Sequence, residues 1–380
     1  MRLLVATTAN AGHFGPLVPF ASACAVAGHE VRVAAPMSFA DPVRRAGFIH
    51  VPVADADPAE LGAIFGTLPS LSLEEANTRV VRDIFAGVDA RAVLPGFTAA
   101  VRDWRPDLIL RETTEYASYV VAESESIPTA TVAIGLAEMD DFTYSILDRA
   151  LEELGSQRGV GGLRDALTLS TVPVSLERPG DGERASRFRD DAMVAPPTKL
   201  PDWWPGQPTP LVYVSFGTVA GGMDLFPALY QGVIDALAGE PLRVLVTVGE
   251  SGDPGALGPL PPNVHVERFW PQAEVMTSAS ATVGHGGFGT TMLSLVAGVP
   301  LAVIPLFALD QHYNAAAVTR RGAGVTVDGL THPLGDLAGA VRGLLETASY
   351  RDTALQVADE VAHLPAIADA VPILVDLSQA

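Results

Sequence analysis

Cysteine is all but absent: the chain has one, Cys24, among 380 residues. No internal disulfide can form, and a thiol inside the apolar run from Leu17 to Ala27 suits a small core residue better than a nucleophile. Cations are scarce as well. Against 44 aspartates and glutamates stand 24 lysines and arginines, a net charge of −20. That field repels a nucleic-acid backbone or an anionic membrane surface, so any phosphate the chain binds has to be held by local geometry. No apolar stretch in the sequence approaches the roughly 20 residues that span a bilayer. The opening MRLLVA is broken at once by TTANAGH, unlike a secretory signal. The expectation is a cytoplasmic protein with no membrane span and no nucleic-acid partner. Several motifs are missing too. There is no G-x-x-x-x-G-K-[ST], no H-E-x-x-H, no paired C-x-x-C and no G-x-S-x-G, and the first turn, NAGHFGP, lacks the G-x-G-x-x-G dinucleotide fingerprint. ATP hydrolysis, zinc hydrolysis, the serine-hydrolase elbow and nicotinamide chemistry lose support accordingly.

What is present is an alternation of short apolar runs and helix-compatible segments, at 48% apolar composition. LLVAT, a glycine-containing turn, the helical pattern from Leu17 to Ala27 and HEVRVAAP make a βαβ unit. DLIL (107–110) and TATVAI (129–134) continue it, and a parallel-sheet α/β domain follows. APPTKLPDWWPGQPTP is dense in proline, which denies both helix and central strand, and reads as a linker. The pattern restarts with LVYVSFG, RVLVTVG, HVERF, ATVGHGG and PLAVIPL. Two doubly wound Rossmann-like domains are expected, over 1–195 and 211–364, with the linker at 196–210. The polar stretch PGDGERASRFRDD (179–191) reads as an exposed loop.

In open parallel sheets ligands bind outside the carboxyl ends of the strands, so polar residues just past a strand carry the most weight. His13 follows the first strand; Arg111 and Glu112 follow DLIL; Ser215, Gly217 and Thr218 follow LVYV; Phe269 and Trp270 follow HVER; His285 follows ATVG; Asp310 and Gln311 follow PLAVIPLF. Aligned strand ends let His13 meet Glu112 across about a hundred residues, and two such edges facing each other would make a cleft. HGGFGTT (285–291) has three glycines at a strand-to-helix turn, where backbone can approach an anion and unpaired helical N–H groups can hold it. Phosphate or pyrophosphate is the natural guest, with Thr290 or Thr291 capping or donating a hydroxyl and His285 adding a hydrogen bond. DAD (55–57) matches the D-x-D of metal-dependent sugar transferases, but in an acidic loop without supporting context it reads as solvated.

These elements together resemble one family. GHFGP after the first strand, GHEVRVAAP at the second, VYVSFGT, the W-P-Q element at 270–272, HGGFGTT, GVPLAVIPLFALDQHYNA and RGAGV are similar in order and spacing to family 1 glycosyltransferases of the GT-B fold. Within that family the match is to the actinobacterial enzymes that decorate antibiotics. The resemblance implies His13 as the base that deprotonates the acceptor hydroxyl, a proton transfer suited to an imidazole. It implies a carboxylate partner for it at Glu112, where the family more often has aspartate, with Glu115 a second candidate; the alternative reading of RETTEY is an exposed pair of acids, or a structural salt bridge from Arg111 to either. It places the donor diphosphate at Ser215, Gly217, Thr218, His285, Gly287, Gly289 and Thr290, and the sugar hydroxyls at Asp310 and Gln311. The base-stacking ring falls on Phe269 or Trp270, next to Gln272, with the register open by one residue. Residues 365–380 are implied to pack back on the first domain.

The expected activity is inverting, metal-independent transfer of a hexose or deoxyhexose from a dTDP- or UDP-sugar to an apolar acceptor, with no cofactor. Acceptor contacts are expected from Phe65, Phe85, Phe142 and Tyr144, which could equally be core. A homodimer is left open. A sugar-nucleotide 2-epimerase and a non-catalytic activator of a partner transferase are the rival readings.

Overall fold

The computed structural model describes residues 1–206, 209–217, 226–328 and 334–379. The chain divides into two compact units: Met1–Val172 with Pro179–Asp190 and Leu364–Ala380, and Pro173–Arg178 with Asp191–His363.

The first unit carries a seven-stranded sheet of β1 (Arg2–Ala6), β2 (Glu30–Pro36), β3 (Ile49–Val53), β4 (Leu108–Glu112), β5 (Thr129–Val132), β6 (Leu167–Ser170) and β7 (Ala185–Arg187). Their order is β3-β2-β1-β4-β5-β6-β7, and every pairing is parallel. Leu3 and Val5 bury on one face and Leu4 and Ala6 on the other, as strands covered by helices on both sides require. The strand order reverses between β1 and β4, and the crevice at such a switch point is where doubly wound sheets hold ligands.

The second unit repeats the plan. Its strands are β8 (Leu211–Ser215), β9 (Arg243–Thr247), β10 (Val264–Glu267), β11 (Ala281–Gly284), β12 (Leu301–Val303) and β13 (Gly324–Thr326). They run β10-β9-β8-β11-β12-β13, also all parallel, and reverse between β8 and β11.

Three expectations are corrected. Residues 179–191 are not a solvated loop: Ala185–Arg187 pairs with β6 as an edge strand, Phe188 is buried against Phe20, and Arg189 donates to the Leu364 carbonyl at 2.6 Å. The proline-rich stretch does not hang between units, because Trp204 is buried in a second-unit cluster with Leu211, Tyr213 and Met276. A segment long and apolar enough to cross a membrane does exist, the helical run Leu73–Trp104. Its buried residues, among them Val81, Val93, Phe97 and Val101, pack into the first unit's core. The last helix, Ala370–Leu377, also joins that unit, placing Ala370, Val371 and Leu374 against a cluster that contains Leu17, Phe20 and Ala21.

Candidate active site

At the first switch point a short helix, Ala11–Phe14, follows β1, started by the Asn10 side chain accepting from the Gly12 N–H at 2.8 Å. It carries His13 beside the end of β4. The His13 Nδ1 lies 3.2 Å from Glu112 Oε1 and 3.0 Å from the Thr114 hydroxyl. Glu112 is fully buried. Burial alone would push its carboxyl up, but the His13 charge and hydrogen bond, the Thr114 backbone N–H and the Arg111 guanidinium together hold it below the usual carboxylate range. An ionised carboxylate at Nδ1 keeps the proton there, which makes Nε2 the basic nitrogen of the ring.

Thr114 went unnoticed in the sequence, yet it fixes the Glu112 carboxylate beside His13. Its N–H donates to Oε2 at 2.5 Å, and its hydroxyl lies 3.1 and 3.0 Å from the two carboxylate oxygens. The longer side chain is thereby folded back and clamped. Glu115 is excluded as the partner: it caps the helix Tyr116–Glu125 by accepting from the Ser118 N–H at 2.8 Å, and burial raises its pKa. Nor does Arg111 bridge to either acid. Its three nitrogens donate to the Glu115 carbonyl, the Thr131 hydroxyl and the Thr113 carbonyl, a staple that closes the β4 loop.

Of the four aromatics expected to line an acceptor site, Phe85 meets His13, with ring centroids 5.3 Å apart. It sits in a π-helical segment, Val80–Asp89, a widened turn of a kind concentrated at functional sites. Tyr144 packs against the core, the Arg164 guanidinium 5.1 Å over its ring, which favours the core alternative. Phe142 is half-buried, and Phe65 is exposed at the end of the helix Pro58–Phe65. The two aspartates of the DAD motif are engaged locally. Asp55 accepts from the Ser38 N–H and hydroxyl, and Asp57 caps that same helix.

At the second switch point, HGGFGTT joins β11 to the helix Phe288–Val296. Gly286 sits at φ +84°, and a Cβ there would lie 2.7 Å from the Gln311 carbonyl. A Cβ on Gly287 would come within 2.4 Å of His285 Nε2. Only glycine lets the turn close around the imidazole. Gly287 is also the N-cap and supplies no side-chain bond, so the first N–H groups of the helix are not spent on a capping residue. His285 is enclosed by this turn and Gly217, and burial, partly offset by the Ser215 backbone, lowers its pKa to about 4. The ring is neutral near pH 7 and donates through one N–H, not as an imidazolium.

Ser215, Gln272 and Thr290 form one chain. The Gln272 amide donates to Ser215 Oγ and the Thr290 hydroxyl to Gln272 Oε1, each at 3.1 Å. Gly217 follows β8 at φ +76°, and Gly289 is exposed in the helix's first turn. Thr218 lies outside the described residues. Asn314 donates to the Gly286 carbonyl at 2.7 Å, and the Gln311 Oε1 accepts from the Leu306 and Phe307 N–H groups at 2.8 and 3.3 Å. Gln311 is thus a pin for its loop as well as a candidate ligand. Asp310 stands half-buried in the first turn of Leu309–Arg321. Phe269 is 61% exposed, whereas Trp270 turns inward onto Trp203, centroids 5.2 Å apart.

Comparison with known proteins identifies the family. Residues 22–210 match the N-terminal domain of the erythromycin biosynthesis protein CIII-like family and residues 232–377 its C-terminal domain. The L-demethylnoviosyl transferase of Streptomyces niveus is 32% identical, over 96% of this chain and 95% of its own. The elloramycin glycosyltransferase ElmGT of Streptomyces olivaceus is 33% identical, over 97% and 95%. The crystal structure of the glycosyltransferase SnogD from Streptomyces nogalater superposes with a TM-score of 0.74 at 27% identity, covering 100% of this chain and 99% of that one. Two parallel-sheet α/β units of this kind define a glycosyltransferase of the GT-B fold. The chain belongs to the family 1 glycosyltransferases of actinobacterial antibiotic biosynthesis.

Proposed function

We propose that the chain catalyses inverting transfer of a hexose or deoxyhexose from a dTDP- or UDP-sugar to a hydroxyl of an apolar natural product, without a metal or other cofactor. One observation carries the reading: the imidazole of His13 is held 3.2 Å from a fully buried, ionised carboxylate at the switch point of the first sheet. His13 Nε2 takes the acceptor proton as the oxygen attacks the anomeric carbon. Glu112 stabilises the imidazolium that forms, as the carboxylate of a base dyad does. Direct displacement by that oxygen inverts the configuration. The departing diphosphate is received by the N-terminus of Phe288–Val296, where Thr290 offers its backbone N–H, by neutral His285 and by the Ser215 hydroxyl, donors fixed before charge develops. Phe269 stacks on the nucleobase, and Asp310 and Gln311 direct the sugar hydroxyls. Phe85 forms the acceptor wall beside the base. A cytoplasmic location accords with a single cysteine that is unpaired, buried and pushed up to about 11 by burial.

The test is release of nucleoside diphosphate from dTDP- and UDP-hexoses with and without an aglycone. Acceptor-dependent release that falls at least ~100-fold in His13→Ala is expected, since general base catalysis contributes about 10²- to 10⁴-fold. Thermal stabilisation by the free diphosphate should persist in that variant. Turnover without acceptor would instead indicate an epimerase, and binding without turnover an activator.

A further inference from the structure

We propose that a cavity beside the widened turn of the first unit is a second small-molecule site, taking an apolar molecule that carries one anionic group. The site stands apart from the reading of His13 as the base; only its effect on sugar transfer rests on that reading.

Three elements build it. The helices Pro58–Phe65 and Asp148–Leu154 both pack against the π-helical segment Val80–Asp89, and residues of all three line a cavity of about 460 Å³. Small-molecule pockets commonly measure about 300–1,000 Å³. Glycine keeps this one open. Backbone dihedrals leave the helical range at Gly87, which lines the cavity, and a Cβ there would lie 3.0 Å from the Arg82 carbonyl. The break that widens the turn therefore also shapes the cavity wall, and widened turns of this kind concentrate at functional sites.

The lining divides into a floor and a rim. Ala86 and Val88 are buried and Ile64 and Leu154 half-buried, an apolar floor that gains by being covered. Of the five charged side chains on the rim, four have partners: Arg91 pairs with Glu60 at 3.3 Å, Asp83 with Arg79 at 3.1 Å and Glu153 with Arg149 at 2.9 Å. The fifth, Arg82, forms no side-chain hydrogen bond or ion pair among the described residues. Its guanidinium suits a carboxylate or sulfonate, which accepts from two of its N–H groups at once. A bare phosphate would leave the floor wet, and a neutral hydrocarbon would leave Arg82 unpaired. An amphipathic anion satisfies both.

The floor reaches the active site through one ring. Ile64 and Val88 share a cluster with Phe85, whose ring centroid lies 5.3 Å from that of His13. A ligand resting on Ile64 and Val88 bears on Phe85 through that cluster, and so on the wall beside His13.

Fluorescence titration of the full-length chain with anilinonaphthalene sulfonate tests the site, set against phenylnaphthylamine, which has the same rings and no anion. Arg82→Gln should weaken the sulfonate about tenfold, the scale of a lost hydrogen bond to a charged group, and leave the neutral amine unchanged. Ala63→Trp places a large ring at an exposed helical position on the rim and should abolish binding of both. Both substituted side chains are exposed, so the melting temperature should hold. In histidine-labelled protein the sulfonate should shift the His13 ring resonances, assigned through His13→Ala, and fail to do so in Ala63→Trp. Equal affinity of the sulfonate for the parent and Arg82→Gln, or undiminished binding in Ala63→Trp, would overturn the site. Unmoved His13 resonances at saturation would overturn the coupling. If His13→Ala still transfers sugar while both titrations come out as expected, the assignment of the base fails and the site stands.

Discussion

Phe269 and Trp270 are neighbouring rings with opposite surroundings, and the difference makes them separable. Phe269 is exposed and is the ring proposed to stack on the donor base, while Trp270 packs on Trp203 within the second unit's core. Phe269→Ala should raise the donor KM by roughly tenfold or more, since stacking on a base is worth about 1–3 kcal/mol, and leave the melting temperature nearly unchanged. Trp270→Ala should do the reverse, lowering stability by about 2–3 kcal/mol, below the range for a wholly buried ring because this one is only partly covered. Donor titrations paired with urea unfolding distinguish the two; equal effects on KM would refute the assignment. The sequence could not settle this order because both residues follow the same strand and either ring stacks on a pyrimidine. That His13 and Glu112 meet was legible, because strand ends align along one edge of a parallel sheet. Thr114 escaped notice because a threonine in RETTEY has no distinguishing pattern; its role exists only once Glu112 folds back onto its hydroxyl and N–H.

At the level of elements, HGGFGTT was readable because glycine clusters have few other uses between a strand and a helix. The reason for its second glycine was not readable, since it lies in a contact with the turn's own histidine. Gly287→Ala should push His285 out of place, so stabilisation by free nucleoside diphosphate should drop by at least tenfold in affinity, with kcat/KM following. Differential scanning fluorimetry against dTDP and UDP checks this, and unchanged affinity would mean that the turn does not hold the leaving group. The π-helical segment was illegible for a different reason. Apolar residues in Val80–Asp89 fit an ordinary helical period well enough, and the widening comes from the break in helical dihedrals at Gly87. Strands β3, β6, β7 and β13 were likewise passed over; each is short, three to five residues, and pairing rather than composition makes it a strand.

For the whole molecule, the two-unit α/β architecture followed from the alternation of runs, but the path between units did not. The sequence placed one crossing in the proline-rich stretch and a return at 365, whereas the chain passes between units after Val172, Arg178, Asp190 and His363, so only the last of these was anticipated. Proline density marks where helix and strand are forbidden, not where packing ends, and Trp204 shows the two can differ. Leu374, wholly buried beside Leu17 and Phe20, tests the last crossing. Leu374→Ala should cost about 2–5 kcal/mol, as buried leucine truncations do, and lower the denaturant midpoint of the first unit. Stabilisation by nucleoside diphosphate should survive, since the proposed donor groups sit on the other unit. A midpoint within error of the parent's would show that the terminal helix contributes nothing to that core.

The return of the final residues to the opening unit has a consequence for biosynthesis. A ribosome delivers Pro173–His363 before Ile367, Ala370 and Leu374 emerge, so the nascent first unit waits with part of its hydrophobic surface uncovered. At about 5–20 residues per second that interval lasts roughly 10 to 40 s. The later-made half can therefore be complete while the earlier one still needs its closing piece, which makes that exposed patch the natural place for a chaperone to hold the growing chain.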